Sequence, residues 1–147
     1  MGDVPHAGVY EKDSLDLRKV FSQVLDFVSD GRTGAVAFFV GVVKSSGSAG
    51  KDVEVLEMES YVEHANQAIE RICDEVVAEY GLNYAGVWHL VGRFGLGEAV
   101  VLVAVCGRGR KEVLAALPVI VERYKREPAL FKKEVYIDGT HQWIEGA

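Results

Sequence analysis

The chain has 147 residues, of which 49% are apolar and 26% charged, enough for one domain with a sizeable core. Its formal net charge of −6 argues against a nucleic-acid binder driven by bulk charge. No apolar run reaches membrane-span length, and the opening MGDVPHAGVY has neither a positive n-region nor an apolar h-region, so no leader peptide and a cytoplasmic location are expected. The whole chain, 1–147, is expected to be one domain, with residues 1–12 as a flexible extension of low order. Leu17, Val20, Phe21, Val24, Leu25 and Val28 recur at helical spacing, with Ser14 as candidate N-cap and Gly31 as stop. Gly34–Val43 is a continuous apolar run that reads as a strand buried on both faces, and Gly41 within it suggests a bulge. Ser45–Asp52 is a Gly/Ser-rich loop, readable as a lid or as a plain connector.

Val53–Met58 gives a second strand. Ser60 and Glu63 have capping-box spacing ahead of a helix that Gly81 closes. Gly86–Val91 and Ala99–Cys106 read as strands joined by the hairpin Gly92–Glu98, whose glycines lack the order of a dinucleotide loop. His64 is expected at the surface, and His89 as a hydrogen-bonded structural residue. Cys73 and Cys106, outside any metal-binding spacing, are expected as buried thiols in a reducing compartment. Gly107-Arg108-Gly109-Arg110 opens a third helix and is either an anion site or an ordinary strand-to-helix turn. Pro118 should bend that helix.

The most informative stretch is RYKREPALFKKE, Arg123–Glu134, with five basic residues in twelve positions. Pro128 ends the helix near Glu127, leaving Lys125 on its last turn. Beyond the break, Lys132, Glu134 and Tyr136 alternate with Phe131, Lys133 and Val135 as in a strand. Two lysines from two elements then converge, unless the run is simply a solvated basic helix end. From Gly107 to Glu134 eight Lys/Arg stand against four Glu, a local +4 that leaves −10 on the remainder. Such a site suits a small anion or an acidic tail. Asp138-Gly139 marks a turn and His141–Ile144 a last strand. The bare pattern is α+β with a mainly antiparallel sheet, and Val53–Tyr136 alone suggests a ferredoxin-like sandwich.

With these segments placed, the sequence from about Gly34 onward resembles the family of molybdopterin synthase large, catalytic subunits. The resemblance rests on GAVAFFVGVVK, on VWHLVGRFGLGEAVVLVAV, on Lys125 followed by Phe131-Lys132-Lys133-Glu134, and on Gly139 and Trp143. It implies an α/β-hammerhead-type fold with about three helices. It also implies a sulfurtransferase of molybdenum-cofactor biosynthesis that converts cyclic pyranopterin monophosphate to molybdopterin. The sulfur would come as a thiocarboxylate on the C-terminal tail of a small ubiquitin-like partner subunit. A homodimer of the large subunit with a small subunit at each end is implied, with no cofactor in this chain, no nucleic acid and no membrane. By the same resemblance Lys125 and Lys132 are the catalytic lysines, while Val42, Val43, Lys44, Arg110, Lys133 and Glu134 join them around the substrate. Lys44 stands where the family commonly has arginine, and Gly109 where it commonly has histidine. The rival is a non-catalytic oligomer that binds a phosphorylated ligand or acidic peptide tail through the same charges.

Overall fold

The structure, a computed structural model, describes residues 3–144. Ten elements follow one another: β1 (Gly8–Glu11), α1 (Leu17–Phe27), β2 (Ala35–Val42), β3 (Val53–Ser60), α2 (Val62–Tyr80), β4 (Tyr84–Phe94), β5 (Ala99–Gly107), α3 (Arg110–Arg126), β6 (Leu130–Tyr136) and β7 (His141–Ile144). The seven strands form a sheet ordered β2-β5-β4-β3-β6-β7, with β1 added to β4. Only β1 pairs in parallel; the other pairings are antiparallel. This is the α+β class with three helices that the pattern implied.

The core forms on both faces of β5. Val101, Val103 and Val105 enter the larger cluster with Ile69, Ile72 and Val76 of α2 and Val113, Ala116 and Ile120 of α3. Leu102, Ala104 and Cys106 face the other way, onto Val20 and Val24 of α1 and onto Trp88. A strand covered on both faces has no polar position to spare, which explains its unbroken apolar sequence.

Four expectations need correction. Residues 8–11 are not part of a low-order extension but strand β1, whose Val9 N–H donates to Asn66 Oδ1 at 2.7 Å. Just before it, the Pro5 carbonyl accepts the indole N–H of buried Trp88 at 2.9 Å. Strand β2 is apolar yet not buried on both faces. It is an edge strand bonded only to β5, leaving Val40 and Val42 47% and 52% exposed. Its register shifts between Gly41 and Val42, where the glycine suggested a bulge. The helix caps differ too. Asp16, not Ser14, caps α1 by accepting from Arg18 N–H, while Ser60 ends β3 and Tyr61 takes the cap position of α2. Finally, the topology is not ferredoxin-like. A split β-α-β unit would seat another strand between β3 and β4, but these two are direct antiparallel neighbours. Helix α3 runs unbroken through Pro118.

Deleting residues 1–11 removes β1 and orphans the Trp88 N–H. The loss of Val9 burial and of that hydrogen bond should cost about 3 kcal/mol or more. A fall of about 10 °C in Tm, with a red shift of tryptophan emission, is the expected result.

Candidate functional site

The Pro128 break does what the sequence suggested. Helix α3 stops at Arg126, and the chain turns through a Leu130 N–H bond to the Pro128 carbonyl at 2.8 Å. The turn is fastened to the start of α2. Tyr61 N–H donates to the Ala129 carbonyl at 3.2 Å, and Ala129 N–H donates to His64 Nδ1 at 3.2 Å. His64 is therefore a surface residue with a structural bond, as its position implied. β6 then leaves the turn with Leu130, Lys132, Glu134 and Tyr136 on one face and Phe131, Lys133 and Val135 on the other.

This alternation sorts the basic cluster. Arg123 is held by Glu127 at 2.6 Å and Glu75 at 2.7 Å, and Arg126 reaches Glu122 at 3.3 Å. Lys133 points away from Lys132; its ammonium meets Glu57 at 3.1 Å and lies 5.5 Å from the centre of the Trp143 ring. Lys125 and Lys132 lie close enough for their charges to act on each other. The Lys125 ammonium sits 5.6 Å from the centre of the Tyr124 ring. The Lys132 ammonium is held below the usual lysine range, first by burial and then by the positive charges of Lys125 and Lys44, against the opposing pull of Glu134. The candidate site is thus a group of three lysines from α3, β6 and the chain just after β2, whose charges act on one another, with the buried carboxylate of Glu134.

Val42 and Val43 bring Lys44 there. Val42 is exposed, while Val43 is buried and tied to the β4–β5 turn by its N–H to the Glu98 carbonyl (3.0 Å) and its carbonyl to Gly97 N–H (2.9 Å). Glu134 is only 6% exposed, and one of its oxygens accepts from Ser48 N–H and from the Tyr136 hydroxyl. Arg110 does not join the group. It lies in the first turn of α3, fifteen residues before Lys125, or about 22 Å along the helix axis. The glycines around it serve the turn. A side chain at Gly34 would collide with the Arg108 carbonyl, so the chain entering β2 rests directly on this segment. A Cβ at Gly109, where the family commonly has histidine, would meet only Glu112 Oε2, at an ordinary 3.6 Å.

Sequence reasoning did not connect His89 to the lysines. It is 2% exposed in β4, its Nδ1 2.9 Å from the Leu90 carbonyl and its ring 5.9 Å from that of Tyr124. Burial lowers its pKa to about 4, and the nearby Lys125 charge adds to the effect. The only sequence signal was one histidine within an apolar strand. Among the described residues no cluster of His, Cys, Asp or Glu is arranged to hold a metal ion, and no helix is long and apolar enough to cross a membrane.

Comparison with known proteins establishes the family and the fold. The family model described as MoaE protein matches residues 11–127, and the chain belongs to that family. A molybdopterin synthase catalytic subunit of Pyrococcus abyssi is 34% identical over 124 residues, 84% of this chain and 82% of that protein. Molybdopterin synthase catalytic subunit 1 of Aedes aegypti is 32% identical over 92% of this chain and 88% of its own length. Among solved structures, molybdopterin synthase from Staphylococcus aureus superposes with a TM-score of 0.81 at 25% identity, covering 94% of this chain and 96% of that one. The hammerhead-type fold implied by the sequence is therefore the fold observed.

His89 yields a pH prediction. Its ordinary value is 6.5 and its folded value about 4, so between these the unfolded chain binds a proton that the native chain refuses. Stability is lost as pH falls through this window, by up to about 1.4 kcal/mol per pH unit from this residue. In calorimetry from pH 7 down to pH 4.5, His89→Gln should lose less Tm than the wild type, although it starts lower.

Proposed function

We propose that this chain is the catalytic subunit of a molybdopterin synthase, a sulfurtransferase that acts on cyclic pyranopterin monophosphate. The observation that carries this reading is the convergence of Lys125, Lys132 and Lys44 on an otherwise acidic molecule. The substrate phosphate and the thiocarboxylate tail of a small partner subunit are both anions. Lysine ammonium groups neutralise both and hold them together, which converts a bimolecular encounter into a positioned reaction. Lys132, with its lowered pKa, gives up its proton more readily than a solvated lysine and is suited to proton transfer. Lys125 is proposed as the second catalytic amine. Val42 and Val43 form the wall from which Lys44 reaches the phosphate.

The chain's own thiols are poor sulfur carriers. Burial pushes Cys73 up to about 12 and Cys106 to about 11, so neither is a thiolate at neutral pH. Buried, protonated thiols fit a reaction whose sulfur is delivered by a carrier subunit. Two free, buried thiols also suit the reducing cytoplasm.

Arg110 enters through a second copy. The start of β2 lies beside Gly107 and its end leads to Lys44. If two β2 edges pair antiparallel about a twofold axis, the end of one strand meets the start of the other. The partner's Arg110 segment then lies near this chain's Lys44. The exposed apolar side chains on β2 favour such a pairing.

Lys125→Ala should keep Tm within about 2 °C, as expected for a partly exposed lysine. It should lower single-turnover dithiolene formation at least about 100-fold. Near-normal turnover would remove this stretch from the reaction. A mixing experiment tests the shared site. Arg110→Ala and Lys125→Ala homodimers, each impaired, should on subunit exchange recover roughly a quarter of wild-type activity, because one site in each mixed dimer is intact. No recovery would place both residues in the same subunit's site.

A further inference from the structure

Glu134 is bonded to a distant part of the chain. Its Oε1 accepts from the backbone N–H of Ser48 at 2.9 Å and from the Tyr136 hydroxyl at 2.8 Å. Ser48 lies in the Ser45–Asp52 connection between β2 and β3, and this connection is fastened at several further points. Ser46 bridges Asp52, and Gly47 N–H donates to the Lys51 carbonyl at 2.9 Å. The Lys51 ammonium reaches Asp138 at 3.0 Å and Thr140 Oγ1 at 2.9 Å, and sits 5.6 Å from the centre of the Tyr136 ring. Gly47 lies so close to Tyr136 that a Cβ there would fall 2.9 Å from the ring and 2.7 Å from the Lys51 carbonyl oxygen. This connection is a built structure lying on Tyr136, and its first residue follows Lys44.

We infer that Glu134 is a positioning residue whose carboxylate clasps the Ser45–Asp52 loop onto β6 and thereby fixes Lys44 beside Lys132. Both partners of Oε1 are donors, so the clasp needs an acceptor at this position. A carboxylate meets the need with charge-assisted bonds. The amide oxygen of glutamine also accepts both bonds; alanine accepts neither. Glu134 also acts on Lys132 through its charge, and the same substitution separates the two effects. Glutamine keeps the clasp and removes the charge.

The inference rests on the proposed reaction only for its turnover readout. Full-length wild type, Glu134→Ala, Glu134→Gln and Gly47→Ala would be compared. Tryptic cleavage after Lys44 and Lys51 would be followed by mass spectrometry, together with Ser48 amide exchange, KM and kcat. Loss of both bonds in Glu134→Ala should speed loop cleavage about tenfold or more. KM for the pterin substrate should rise by a similar factor, with a smaller change in kcat. Glu134→Gln should restore protection to within about threefold of wild type and bring KM back with it. Gly47→Ala leaves the carboxylate in place but pushes the loop off Tyr136, so it should reproduce the cleavage and the raised KM.

Three results would overturn the clasp: a loop as protected in Glu134→Ala as in wild type, a Glu134→Gln protein with a closed loop but the kinetics of alanine, or a Gly47→Ala protein with an open loop and normal KM. Absence of turnover in wild type would instead count against the proposed reaction, and the cleavage and exchange results would still decide the clasp.

Discussion

Burial of β5 on both faces is the constraint from which the rest of the molecule follows. Its alternating side chains form two clusters, one against α2 and α3 and one against α1. Charge has no place on such a strand, because an unpaired buried ion costs far more than one side chain's packing returns. The ionisable groups gather instead where strands end or lie far from β5. Lys44 follows β2, Lys125 closes α3, and Lys132 and Glu134 ride on β6. The site is thus displaced to the margin of the fold by the needs of its centre.

At that margin, local electrostatics runs against the overall charge. The molecule is acidic, yet Lys132 experiences its neighbours mainly as cations. Arg123 and Arg126 are occupied by Glu75, Glu127 and Glu122, and Lys133 by Glu57. These pairs tie the neighbouring cations to carboxylates of α2, α3 and β3. A salt bridge at an exposed position adds little stability. Here the pairs fix where these cations point.

Much of this was legible from the chain. Pro128 marked the helix end because its ring disfavours helix in the preceding residue, so the Lys125–Lys132 convergence followed from local geometry alone. Gly81 and Gly41 announced a helix end and a bulge, and both occur. What escaped was decided by tertiary contacts. An apolar run reads the same in a central strand and in an edge strand awaiting cover, so β2 looked fully buried. β1 is four residues long, and its partners lie some eighty positions away in β4. The resemblance set Arg110 around the same substrate as Lys125 and left open which subunit supplies it; the length of α3 separates the two within one chain. Nor could a lone histidine in an apolar strand reveal that it packs near Tyr124 and feels the charge of Lys125.

That length of α3 has a consequence for the assembly as a whole. The helix runs without a break between its two ends, and close-packed interiors transmit strain instead of absorbing it. In the proposed dimer its Lys125 end stands in one centre and its Arg110 end near the other. Two such helices, related by the twofold axis, would join the centres into one mechanical frame. Any shift of a helix on ligand binding at one centre would be delivered to the second, so occupancy of the two would be thermodynamically linked in both directions.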